Sequence, residues 1–225
     1  MKCCSTEGRS IKNMVKNKGF DILPSMAQKY PTELISLIAH LKKLPGVGTR
    51  TAERFAFEFL SWPKDELTLC SEIIAGIQEK IPPCTICGCL TDQGRCKFCD
   101  LTMRTSTQLC IIASPRDVFA VEETGAYKGL YHVVEHLLSP LDGRHAKGLR
   151  LDKIEERIIN HKVEEVILAF DSTLEGDTTA LYLKNGLSQM PLSISRLAFG
   201  LPLGSSLEYI DGGTLTRSFK NRQTF

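Results

Sequence analysis

Cys84-Thr85-Ile86-Cys87 and Cys96-Lys97-Phe98-Cys99 are two CxxC pairs separated by the eight residues from Gly88 to Arg95. Knuckles this close together can bring four thiolates to the corners of one tetrahedron, the ligand set and geometry of a structural Zn²⁺ site. Gly88 and Gly94 supply the backbone freedom that a knuckle turn needs, and Thr91-Asp92-Gln93 is too short and polar to bury a core without a metal. One structural zinc ion per chain is therefore expected, held by Cys84, Cys87, Cys96 and Cys99 as a staple between two larger parts. The competing chemistries are a pair of disulfides or a redox CxxC.

Two further clusters could carry chemistry. In Leu44-Pro45-Gly46-Val47-Gly48, Pro45 pre-sets a turn, and the two glycines lack the Cβ that would keep a phosphate from the free N–H groups of a following helix. Arg50 and Arg54, one turn apart on that helix, would flank the same phosphate or its neighbour. Gly46, Val47, Gly48, Arg50 and Arg54 are thus the expected DNA-binding surface; the plainer alternative is a tight helical turn with solvated charges. The third cluster, Asp171-Ser172-Thr173-Leu174-Glu175-Gly176-Asp177, follows the most hydrophobic strand pattern in the chain. Asp171, Glu175 and Asp177 could bind a metal weakly or dock a basic partner surface. They could also serve turn and cap chemistry, with Asp177 preceding Ala180, Leu181 and Leu183.

The elements that must position these clusters differ along the chain. Leu34, Ile35, Leu37, Ile38 and Leu41 repeat at helical spacing from Thr32, an available N-cap, and a second helix from Thr49 is expected to turn Ala52, Phe55, Ala56 and Phe59 inward until Trp62-Pro63. A third helix, with Leu67, Cys70, Ile73, Ile74 and Ile77 on one face, should complete this layer before Pro82-Pro83. Beyond Leu101, strand patterns at 109–113, 131–134, 163–170 and 192–197 alternate with helical ones at 118–123, 151–160 and 178–187. That alternation predicts a three-layer α/β domain with a mostly parallel sheet. The expected organisation is a flexible extension at 1–30, a helical region at 31–83, the zinc site at 84–99, the α/β domain at 107–202 and a C-terminal segment at 203–225.

With 225 residues, 42% hydrophobic and 24% charged, the chain can bury a real core, and its net charge of +2 means that any nucleic-acid role must come from local patches. Lys2, Arg9, Lys12, Lys16 and Lys18 leave no apolar stretch for a signal sequence, and no run approaches a membrane span. Cys3, Cys4, Cys70, Cys89 and Cys110 are an odd remainder in scattered contexts, which favours reduced thiols in a cytoplasm over a disulfide framework.

The helix, LPGVG hairpin and helix resemble the helix-hairpin-helix motif of sequence-independent DNA-binding proteins. The acidic stretch resembles the second acidic motif of Toprim domains, which hold Mg²⁺ for phosphoryl transfer: Asp171 matches its first aspartate and Glu175-Gly176 its later pair. Thr173 stands where the second aspartate belongs, and Ala113 where a Toprim catalyst has a strand-end glutamate. Mg²⁺ needs hard oxygen ligands and proton transfer needs a titratable group, so no catalytic residue is assigned. A Mg²⁺-dependent Toprim nuclease, primase or topoisomerase is the rival reading.

The order of hairpin, four-cysteine site and degenerate Toprim is similar to that of the RecR family of bacterial recombination mediators. The similarity extends through residues 124–133, 138–143, 200–204 and Leu207-Glu208-Tyr209, from about Pro31 to the C-terminus, while Ser205 and Ser206 depart from the family pattern. The resemblance implies a non-enzymatic role at the nucleoid. It implies non-specific binding of single- and double-stranded DNA, and action with RecO, and in many members RecF, to load RecA on single strands. It also implies a homo-oligomer, either a dimer or a ring-like tetramer, with Asp171, Glu175 and Asp177 facing RecO and the segment with Leu215 and Phe219 available for an intersubunit contact.

Overall fold

Leu34 and Ile38, one turn apart on α1 (Thr32–Leu41), are buried against Ala52 and Ala56, one turn apart on α2 (Thr49–Ser61). Residues four apart share a helix face, so the two stripes close a small core with Tyr30, Leu37, Leu41 and Val47 at its margin. The computed structural model describes residues 29–139, 142–198 and 200–222, and the expected N-terminal extension falls outside them up to Gln28. The chain divides between Ala75 and Gly76 into two compact units.

In the first unit, Pro31 and not Thr32 precedes the helix: the Pro31 carbonyl accepts from the Ile35 N–H at 3.1 Å, and no side chain caps. Phe55, expected inside, is exposed. The small Ala52 and Ala56 fill the contact with α1, and Phe55 lies beside the Arg54 guanidinium, 5.8 Å from its ring centre. The third helix, α3 (Lys64–Lys80), forms as its periodicity requires, yet none of its residues is buried and Ile73, Ile74 and Ile77 stay at least half exposed. The layer it was expected to complete is not closed among the described residues.

The second unit is built on four parallel strands, β1 (Thr105–Ile112), β2 (Gly129–Val133), β3 (Glu165–Ala169) and β4 (Ser193–Arg196), in the order β2-β1-β3-β4. Helices α4 (Pro115–Glu123), α5 (Leu151–His161) and α6 (Leu174–Gly186) connect them, and α7 (Gly212–Lys220) follows. Strand pleating sends alternate residues of β1 to opposite faces. Leu109 and Ile111 enter a core with Ile154, Ile158, Ala180 and Leu183. Cys110 and Ile112 enter another with Val118 and, in place of a further helix, Cys87, Cys89 and Phe98. The cysteine knuckles therefore cover part of the sheet and belong to the second unit. Among the described residues no helix is long and apolar enough to cross a membrane.

Candidate metal centre and nucleic-acid interface

The Sγ atoms of Cys84, Cys87, Cys96 and Cys99 all lie within 4.8 Å of one another, with Cys87 and Cys96 at 3.4 Å and Cys84 and Cys99 at 4.0 Å. A tetrahedral Zn²⁺ with bonds of about 2.3 Å needs sulfur edges of roughly 3.8 Å, so the set fits a closed four-sulfur site. Local hydrogen bonds shape it: the Cys84 N–H donates to the Cys89 carbonyl at 2.7 Å and the Gly88 N–H to the Cys84 carbonyl at 2.8 Å. Asp92 and Arg95 exchange two backbone hydrogen bonds across a turn whose Gln93 and Gly94 have φ of 47° and 77°. The neighbouring thiols of Cys89 and Cys99 pull the Cys87 thiol far below the ordinary range, while burial and the neighbouring Cys87 push Cys96 up to about 11. Four sulfurs this close cannot all ionise without a cation among them. No disulfide joins the described cysteines.

The centre is fastened to the edge strand β2. The Val133 N–H donates to the Cys87 carbonyl at 2.8 Å, and a Cβ on Gly88, whose φ is +74°, would come within 3.0 Å of Val133. Phe98 is fully buried edge-on against Tyr131, with ring centres 5.6 Å apart. Arg104 lies over both rings, at 5.2 and 5.4 Å, and bonds Glu122 at 2.5 and 2.8 Å, while the Tyr131 hydroxyl donates to Glu122 at 2.7 Å. From α5, Arg157 reaches the Tyr131 carbonyl with Nη1 and comes within 3.7 Å of Cys99 Sγ with Nη2. These groups lie far apart in the sequence and meet only in the fold. Arg157 had a signal, a charge three residues after Ile154 and beside Ile158 on an apolar face; Arg104 and Glu122 had none.

The hairpin sits as expected. Gly46 has φ of +78°, the Val47 N–H donates to the Leu44 carbonyl at 3.1 Å, and Gly48 is the N-cap of α2 without a side-chain cap. The first amides of α2 thus remain open to an external acceptor. A Cβ at Gly46 or Gly48 would meet nothing within 4 Å, so the space above them is clear. Arg50 and Arg54 are exposed, and among the described residues neither forms an ion pair; Lys42, exposed at the end of α1, adds a charge beyond those expected.

The acidic stretch is arranged differently from expectation. Thr173 is the N-cap of α6, its Oγ1 accepting from the Gly176 N–H at 3.1 Å, so Glu175 and Asp177 lie in the first helical turn and not in a loop. A Cβ on Gly176 would stand 2.2 Å from the Asp171 carbonyl oxygen, which explains the glycine. Asp177 caps nothing: it bonds Arg196 at 2.6 Å and Arg217 at 3.0 Å, and the Arg196 guanidinium holds its carboxyl below the usual range. Asp171 is exposed and Glu175 half-exposed. Thr173, where a catalytic aspartate would stand, does the cap's work.

A helix-hairpin-helix unit followed by a four-cysteine centre built into a Toprim fold defines a class of multi-part protein associated with DNA transactions. Family models bear this out: RecR, helix-hairpin-helix matches residues 34–74, Toprim domain 107–198, and RecR, C-terminal 200–223. The chain is 51% identical to recombination protein RecR of Protochlamydia amoebophila over 197 residues, covering 88% of this chain and all of the relative. It is 46% identical to that of Chlamydia felis and 42% to that of Chlamydia trachomatis serovar D, each across 88% of this chain and 99% of the relative. The chain belongs to the RecR family of recombination proteins.

Proposed function

We propose that the chain is a non-catalytic recombination mediator. It binds single- and double-stranded DNA without sequence preference through Gly46, Val47, Gly48, Arg50 and Arg54, and acts with RecO, and with RecF as a further partner, to load RecA on single strands. The observation that carries the reading is the uncapped start of α2, with clear space above it and two exposed arginines beside it. Backbone amides and guanidinium groups in this arrangement suit a phosphate diester and read no base. One Zn²⁺ per chain is the ion of choice for four thiols at these separations, and when bound it supplies folding energy and no chemistry.

The exposed face of Ile73, Ile74 and Ile77 on α3, together with the exposed Phe219 on α7, favours a homo-oligomer, dimer or ring. Asp171 and Glu175 remain candidates for docking RecO, whereas Asp177 is engaged by Arg196 and Arg217. Such a protein would work at the nucleoid. The test is DNA retention by the Arg50→Ala plus Arg54→Ala variant, with RecO co-elution measured in parallel. Undiminished DNA binding sinks the hairpin as the contact surface. Mg²⁺-dependent nicking, synthesis or relaxation that disappears in Asp171→Ala would establish the rival Toprim enzyme.

A further inference from the structure

We propose that Arg157 is the built-in counter-cation of the four-cysteine centre, so that metal binding and the packing of α5 on the sheet are one event; this rests on the reading of that centre as a zinc site. Arg157 is buried, 5% exposed, on the inner side of α5. Nη1 donates to the Tyr131 carbonyl, Nη2 lies 3.7 Å from Cys99 Sγ, and Nε has no hydrogen-bond partner among the described residues. The other inward-facing arginines have carboxylates: Arg104 has Glu122, and Arg196 has Asp177. Arg157 has none among the described residues, and a guanidinium cannot shed its charge. A buried cation without a counter-charge is strongly disfavoured.

Cys99 is the group within its reach that can carry negative charge. Four thiolates around one divalent ion leave a net charge of two minus, which favours a cation on the buried side of the centre, where Arg157 lies. A charge-assisted N–H···S bond to Cys99 supplies it and draws charge off the thiolate. Because the same guanidinium holds the Tyr131 carbonyl, it joins the knuckle, α5 and β2. Loss of metal should therefore be felt in α5 and β2 as well as in the knuckle.

Two variants of the full chain separate charge from packing. Arg157→Gln keeps a donor for the Tyr131 carbonyl and removes the charge; Arg157→Lys keeps the charge and loses the fork. Zinc affinity is measured in reducing buffer by competition with a chelating dye, and Co²⁺ substitution reports the four-sulfur set through its thiolate charge-transfer band. The expected result is a loss of about tenfold to a hundredfold in zinc affinity for Arg157→Gln, with Arg157→Lys within a few-fold of the native chain. Equal affinities in the native chain and both variants overturn the proposal, as does an equal loss in the two variants. Failure of the native chain to take up one zinc overturns the metal reading itself. Should a variant not fold without metal, the zinc concentration at the midpoint of refolding makes the same comparison: Arg157→Lys needing less zinc than Arg157→Gln supports the proposal, and equal requirements sink it.

Discussion

Arg104 and Arg157 are buried in the second unit and bonded to Glu122, Tyr131 and Cys99, whereas Arg50 and Arg54 of the first unit stand exposed without an ion pair among the described residues. The difference follows from desolvation. A guanidinium taken out of water must find counter-charge and acceptors inside the chain, so the buried pair locks the knuckle onto β2. An exposed guanidinium has no such obligation, and beside the open amides of a helix start it is available to an outside anion. One region has spent its charges on its own architecture; the other presents them.

The comparison breaks most severely if the metal centre is removed. Cys87→Ser should abolish stoichiometric metal binding and cost more than about 4 kcal/mol, because Cys87 and Phe98 are part of the core beneath β1 and β2. Metal analysis with calorimetry reads this, and hydrogen exchange should show the α1–α2 core still protected. Uniform loss of protection in both units would mean that they are not independent in the way their separate cores imply.

Next in size is the ion pair. Glu122→Gln leaves Arg104, whose side chain is 8% exposed, without its carboxylate, and should cost on the order of 3 kcal/mol at pH 7. The Arg104 guanidinium holds the Glu122 carboxyl below its ordinary value, so the carboxylate's contribution is complete above the unfolded carboxyl pKa of about 4.3. It is lost as pH falls through the lower folded value. Urea midpoints between pH 7 and pH 3 should drop more steeply for the native chain than for the variant across that acid range. Parallel profiles would show that Glu122 does not couple to Arg104.

What was legible in the sequence was what is local. Two CxxC pairs announce a four-sulfur set because the spacing alone nearly closes it, and Pro45-Gly46 announces the hairpin because Gly46 has a backbone conformation that favours glycine. Continuous apolar runs point to β1 and β3 as strands with both faces covered. Most of the departures are matters of partner choice. Phe55 and the α3 isoleucines have the right period for burial, but period says which residues share a face and not whether anything covers it. The start of α6 was missed because Gly176, needed for the approach to the Asp171 carbonyl, and the exposed Leu174 interrupt the apolar pattern. The knuckle's place on the sheet depends on Arg104, Glu122 and Arg157, which meet only in three dimensions.

Removing the exposed pair sharpens the contrast from the other side. Arg50→Ala plus Arg54→Ala should leave folding stability within about 0.5 kcal/mol, since neither side chain is buried or ion-paired among the described residues. Duplex DNA binding should weaken, with the slope of log affinity against log salt falling by about 1 for each phosphate that the variant no longer neutralises. A large drop in stability with an unchanged salt slope would reverse the assignment and make these arginines structural, like Arg104.

The smallest effect tests whether position 173, where a Toprim catalyst has an acid, serves architecture in this chain. Thr173→Ala removes the oxygen that accepts from the Gly176 N–H and should cost about 1 kcal/mol. Thr173→Asp restores the acid of a Toprim catalyst at the same position; as an equally good cap at a helix start that favours negative charge, it should keep native stability. With Ala113 still in place at the end of β1, that variant should show no Mg²⁺-dependent cleavage of DNA. Thermal melting and a nicking assay on supercoiled plasmid read the two halves. Restored cleavage would mean that one substitution separates this fold from catalysis, whereas retained stability without cleavage means that position 173 is held by the cap, as the buried arginines are held by their partners.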